Sequence, residues 1–188
     1  GRGFAPFQLL AFHVEGEFSC GAGVDRPFLH SICQKLHIPL ITRTSQQKRQ
    51  DLACYSCSRE RRRLLFVAAK EEGVETIAFG HHREDAIQTL LMNLLHKAEF
   101  AGNLPKIWMR NYGMTIIRPL IYTEEADIRQ FAKQQNFFRL TCQCPVGQDS
   151  MRKKTDQLLQ EIEQLFPNAR ANLSKAALVY GSKKAQEP

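Results

Sequence analysis

Apolar and polar positions along the chain fall into two alternating textures. Short β-type apolar runs occupy 7–14, 38–42, 76–80 and 115–120. Each is followed by a stretch with helical spacing, at 26–36, 58–72, 84–97 and 124–135. Strands that alternate with helices predict an α/β fold, a doubly wound parallel sheet covered on both faces. The run Ile77-Ala78-Phe79 is apolar on both sides, as a buried parallel strand should be. Thr123 reads as an N-cap, with Glu124, Glu125 and Asp127 favoured by the helix dipole behind it. Beyond Leu140 the texture changes. A Cys/Pro/Gly turn over 142–147 leads into a charged helix over 150–166, which Pro167 stops, and a short helix over 168–179 follows. The expected organisation is an α/β domain over 1–140 and a cysteine turn with a helical extension over 141–188.

Composition narrows the class. Of 188 residues, 43% are hydrophobic, which is ordinary for a globular chain and excludes a disordered one. No apolar run approaches the ~20 residues that span a bilayer, and no signal sequence opens the chain. The expected location is cytoplasmic, with no membrane partner. The net charge of +7 favours a polyanionic partner, because each Lys or Arg set against a phosphate releases a counterion. A solvated basic surface has the same composition.

The chemistry concentrates in four places. Cys54-Tyr55-Ser56-Cys57 reads as a loop running into a helix, where two thiolates can converge on one metal centre and the helix start favours their charged form. Redox dithiols share that spacing. Cys142-Gln143-Cys144-Pro145 follows the fourth strand and helix; in a doubly wound fold, strand ends face one crevice, so the two pairs can meet. All four thiols could close a zinc site, whereas three on a cubane iron–sulfur cluster would leave one iron open to exogenous sulfur. The C-x-C spacing is tight for zinc and leaves open whether Cys142 or Cys144 is the ligand. Cys20 and Cys33 read as packed thiols.

The third place is Gly80-His81-His82-Arg83-Glu84-Asp85, a strand-to-helix turn at the carboxyl edge of the sheet, where such folds bind ligands and backbone amides favour phosphate. Gly80, His81, His82 and Thr89 are the expected cofactor-binding residues. Asp85, Thr89 and Asn93 share one face of an otherwise apolar helix, which points to a site. A helix-start acid at Asp85 and packing histidines are the plainer alternatives. The fourth place is the basic run Arg59, Arg61, Arg62, Arg63, suited to phosphate or to water. Arg152-Lys153-Lys154 opens the C-terminal helix against its dipole, a hint of an outside anion.

Together these residues resemble the tRNA 2-thiocytidine synthetase family of PP-loop ATP-pyrophosphatases. The resemblance is carried by Cys54-x-x-Cys57-Ser-Arg-x-Arg-Arg, Gly80-His-His-x-x-Asp85-x-x-x-Thr89, Ile117-Arg-Pro-Leu120 and Cys144-Pro145, and it runs from about Phe7 to Leu178. It implies an adenine-nucleotide α-hydrolase-like fold. It implies that ATP with magnesium adenylates the C2 oxygen of a cytidine in the tRNA anticodon loop, and that sulfur held at a 4Fe-4S cluster displaces the adenylate. By position, Cys54, Cys57 and Cys144 match the cluster ligands and Asp85 the active-site acid. Arg61 stands where some thiouridine-forming relatives carry a catalytic lysine. The implied partners are tRNA and a sulfur donor such as a cysteine desulfurase.

One departure stands out. The family's S-G-G-x-D-S nucleotide loop is absent, and the chain opens where the second strand should be. The expectation is an N-terminal truncation that removes the first strand and loop, leaves ATP binding poor or absent and the fragment itself inactive, and exposes apolar neighbours, so that a homodimer or other self-association is open. Three alternatives remain: a zinc-stapled nucleic-acid-binding module without catalysis, a tRNA 2-thiouridine synthetase, and lysidine-type ligation on tRNA, which needs no thiolate cluster.

Overall fold

The computed structural model describes residues 6–16, 25–47, 53–137 and 150–180, without the side chain of Cys54. Cys20, Cys142 and Cys144 lie outside the described residues. The described chain divides into two compact units, one within residues 6–73 and one of 74–137 with 150–180.

In the first unit, β1 (Ala11–Glu15) pairs in parallel with β2 (Leu40–Thr44), from Ala11 opposite Leu40 to Glu15 opposite Thr44. The crossover carries α1 (Arg26–Lys35). Asp25 caps α1 by accepting the Phe28 N–H at 3.0 Å, and Pro27 follows inside the first turn, where its missing N–H costs nothing. Helix α2 (Cys54–Glu71) packs on both strands and buries Phe66, Ala68 and Ala69. Arg61 donates to the backbone carbonyl of Val14, and Arg43 of β2 meets Glu71 at 2.5 Å.

In the second unit, β3 (Thr76–Ala78) pairs in parallel with β5 (Met114–Ile117), and β4 (Lys106–Met109) pairs antiparallel with the other side of β5. Helix α3 (Arg83–Lys97) follows β3, and α4 (Glu125–Gln134) follows β5. Helices α5 (Met151–Leu165) and α6 (Ala169–Val179) pack on α3, where Ile87 and Leu91 form a core with Leu159 and Leu173. Both helices belong to the same compact unit as α3.

Four expectations change. Strand β4 is an addition, a four-residue run closed by a turn in which Gly113 takes φ +62°, a conformation that favours glycine. Strand β3 is not buried on both faces: Thr76 and Ala78 are exposed, because among the described residues β3 pairs on one side only. The cysteine pair lies inside the first turn of α2 rather than in a loop before it. The N-cap of α4 is Glu124, not Thr123. No described helix is long and apolar enough to cross a membrane.

Candidate functional site

The turn after β3 is built by contacts that reach to α4. The Phe79 N–H donates to the Ile117 carbonyl at 3.0 Å, extending the β3–β5 ladder past Ala78. His82 then caps α3: its N–H donates to Asp85 Oδ2 at 3.1 Å, which is half of a capping box. The Arg83 N–H donates to the Thr123 carbonyl at 3.1 Å, and its guanidinium meets Glu124 at 2.6 Å. Glu84 is buried, and its Oε2 accepts the N–H of Glu125 at 2.9 Å and faces His82 Nδ1 at 3.1 Å. Burial alone would raise the Glu84 carboxyl pKa; hydrogen bonds from Glu125, its own backbone and His82, with the charge of Arg83, outweigh burial and hold it below its ordinary 4.5.

Asp85 uses its other oxygen as well. Oδ1 lies 3.2 Å from Arg152 Nη1, which is also 3.2 Å from Gln88 Oε1. The cation at the start of α5 is therefore answered by α3. Thr89 Oγ1 accepts from Asn103 Nδ2 at 3.2 Å, and Asn93 Nδ2 donates to the Ala101 carbonyl at 2.7 Å. Two members of the polar stripe thus pin the 98–105 connection onto α3. His81 packs its ring against Phe79, centroids 5.5 Å apart. Gly80 has no positive φ, and a Cβ there would meet nothing within 4 Å, so the turn leaves open space above its backbone.

The second group sits at the start of α2. Ala53 is its N-cap and supplies no side-chain hydrogen bond, and no acidic residue lies in the first turn. The Cys57 N–H donates to the Ala53 carbonyl at 3.0 Å, so the amides of the preceding turn lie at the positive end of the helix dipole. Cys57 is buried and not in a disulfide. Cys54 stands three positions earlier, at the first residue of α2. Of the basic run, Arg63 pairs with Glu60 through two 2.9 Å bonds, Arg62 reaches Ser58 at 3.1 Å, and Arg59 lies over the Tyr55 ring at 5.9 Å. Arg61 turns inward to Val14, and its Nη1 is buried with no hydrogen-bond partner among the described residues. Among the described residues no three His, Cys, Asp or Glu side chains form a metal site.

A family model for the PP-loop domain matches residues 4–139. The chain belongs to the PP-loop domain family. Among curated relatives, the tRNA-cytidine(32) 2-sulfurtransferase of Sorangium cellulosum is 38% identical over 124 residues, 65% of this chain and 44% of its own length. The protein of that name in Geobacter metallireducens is 33% identical over 153 residues, 79% of this chain and 58% of its own. The chain spans about half the length of the curated relatives it matches. Among solved structures, the U34-tRNA thiolase NcsA from Methanococcus maripaludis, determined with its 4Fe-4S cluster, matches with a TM-score of 0.67 and 19% identity, over 90% of this chain and 60% of that one. The α/β reading of the PP-loop chain is shown by the parallel pairs, the alternating helices and this likeness of fold.

Glu84 and Arg83 tie the turn after β3 to α4, and Arg152, read from the sequence as a hint of an outside anion, faces Asp85. The Glu84–Glu125 bond spans 41 positions, and nothing local in either stretch announces it. The carboxylates of Glu84 and Asp85 also fill the first turn of α3, so that helix start suits a cation-bound ligand better than a bare phosphate.

Proposed function

We propose that this chain is the PP-loop part of an ATP-dependent tRNA sulfurtransferase that thiolates C2 of a cytidine in the anticodon loop. The names of its relatives support the substrate, and the observation that carries the reading is the start of α2. There two cysteines stand three positions apart at an uncapped positive end, with no acid in the first turn. The amides of that turn and a basic flank suit an anionic, thiolate-ligated group. The donor set fits a 4Fe-4S cluster held by Cys54, Cys57 and Cys144. When bound, such a cluster supplies an iron free of protein ligands that can take an exogenous sulfur.

The rest of the chemistry falls to this chain's own residues and to ATP. The C2 oxygen of cytidine is a poor leaving group. Transfer of AMP from ATP to that oxygen releases pyrophosphate; sulfur attack at C2 then breaks the C–O bond and AMP departs with the oxygen. Asp85 is the active-site acid, and its carboxylate suits the magnesium that accompanies ATP, since Mg²⁺ takes oxygen ligands. Gly80 and His81 contact the nucleotide, Gly80 because open space lets a ligand approach its backbone. His82 and Thr89 act by position, holding Asp85 and the 98–105 connection. Arg61 offers a spare donor for negative charge.

Anaerobic purification tests the reading. Iron and acid-labile sulfide should accompany the protein, and Cys54→Ser, Cys57→Ser and Cys144→Ala should each lose them while Cys142→Ala keeps them. Stoichiometric zinc without sulfide would replace this function with a zinc-stapled RNA-binding module. Nucleoside mass spectrometry of treated tRNA separates 2-thiocytidine from 2-thiouridine.

A further inference from the structure

Strand β4 lies at the edge of the β3-β5-β4 sheet, opposite β5. Its residues alternate in burial: Ile107 and Met109 turn inward, while Lys106 and Trp108 are exposed, as is Arg110 in the turn that follows. Trp108 is 50% exposed and stands opposite Thr115, with Lys106 opposite Ile117. Successive side chains of a strand point to opposite faces, so Lys106 and Trp108 share one face ~6.7 Å apart along the strand, and Arg110 follows at the start of the turn that closes β4. Among the described residues neither Lys106 nor Arg110 has a carboxylate partner. The segment 105–118 contains Lys106, Arg110 and Arg118 and no acidic residue. Arg118 is spent on the fold, donating to the Leu104 carbonyl at 2.6 Å.

Charge alone would serve to guard an edge strand against pairing with another chain. A half-exposed indole beside the charges works against that purpose, because it adds apolar surface where solubility is wanted. The same alternation is what an unpaired nucleic-acid strand recognises: cations for its phosphates and a flat ring on which a base can stack. From this geometry we infer that Lys106, Trp108 and Arg110 form a docking stripe for unpaired nucleotides of an RNA loop. The inference rests on the tRNA reading above and deepens it by seating the RNA on β4.

Trp108 is the only tryptophan in the chain, so its emission reports on the stripe directly. The probe is a synthetic RNA stem-loop of anticodon type, with a fully paired RNA duplex as control; labelled-RNA anisotropy measures affinity in parallel. The stem-loop should quench Trp108 emission saturably and bind more tightly than the duplex. Trp108→Ala should weaken stem-loop binding about tenfold, the effect of one lost stacking partner, and Trp108→Phe should retain most of it. Lys106→Ala and Arg110→Ala should each flatten the salt dependence of log affinity by about one. Thermal melts of each variant confirm that the hairpin is intact. Unchanged emission at saturating stem-loop, or Trp108→Phe and Trp108→Ala both binding as the parent does, overturns the stripe while leaving the tRNA reading in place. No binding of either RNA by the parent chain overturns both. Loss of the iron–sulfur and thiolation results with quenching intact would overturn only the sulfurtransferase reading.

Discussion

Glu84 on α3 caps α4 through a 2.9 Å hydrogen bond to the N–H of Glu125. The residue that should have capped α4 locally does not; Glu124 occupies the N-cap and turns its carboxylate to Arg83 instead. One buried acid therefore ties together the starts of two helices, α3 after β3 and α4 after β5.

Glu84→Ala should cost about 1–2 kcal/mol of stability, the usual loss for an N-cap, with Glu84→Gln recovering part of it. The carboxyl is held below its ordinary value, so its stabilisation is complete above about pH 4.5 and is lost as pH falls through the lower folded value. Melting temperatures of the parent should therefore drop between pH ~5 and ~3 more steeply than those of Glu84→Gln. Parallel curves would show that Glu84 does not carry the acid limb.

A second prediction concerns close packing. A Cβ on Gly102 would lie 3.0 Å from the Ala177 Cβ of α6, closer than two carbons pack. Gly102→Ala should lose about 1–3 kcal/mol by overpacking. Ala177→Gly alone should lose about 1 kcal/mol of helix propensity, and the double variant should be no worse than that single one. Strict additivity in urea melts would mean that the two residues do not touch.

His13 adds a second step to the acid side of the pH profile, at higher pH and in the first unit. It lines a cleft of about 490 Å³ with Thr42 and His30. Burial lowers its pKa first and the Arg61 charge second, with Glu15 opposing and Arg26 adding to the fall. A histidine with a depressed folded pKa favours folding above its ordinary 6.5, and that contribution is lost as pH falls through the folded value. His13→Asn should make stability less sensitive to acid between pH ~7 and ~5, read by chemical denaturation at each pH.

Much of this architecture was readable from periodicity. The alternating runs located β1, β2, β3, β5 and all six helices to within a few residues, because their apolar spacing is sustained. Strand β4 escaped because four residues between Pro105 and a turn carry too little pattern, and its largest residue, Trp108, faces outward. The site was legible where it is local, as in the Gly80–Asp85 turn and the Cys54–Cys57 pair. It was illegible where chain-distant partners decide it. Thr89 and Asn93 stand on one helix face, but whether that face meets a ligand or a loop depends on Asn103 and Ala101, and the structure gives both to the loop. Arg152 opposes its own helix dipole, and only the fold reveals that Asp85 answers it.

That pairing yields a fourth prediction. The Asp85–Arg152 contact is partly exposed, so a double-mutant cycle with Asp85→Asn and Arg152→Ala should give a coupling below about 1 kcal/mol in stability. The functional effects should separate: in the protein that carries its nucleotide loop, Asp85→Asn should abolish 2-thiocytidine while leaving iron content unchanged. Thiolation that survives Asp85→Asn would remove Asp85 from the chemistry.

The cover that Leu159 and Leu173 provide to Ile87 and Leu91 has a practical consequence. Helix α3 begins at the turn after β3 and gives its flank to α5 and α6. A version of the chain shortened after residue 149 would still contain every residue of that turn, yet it would bare the greasiest side of the helix that holds it. Such a piece should come out of cells as aggregate, so the hindmost helices have to be kept whenever the turn is studied on its own.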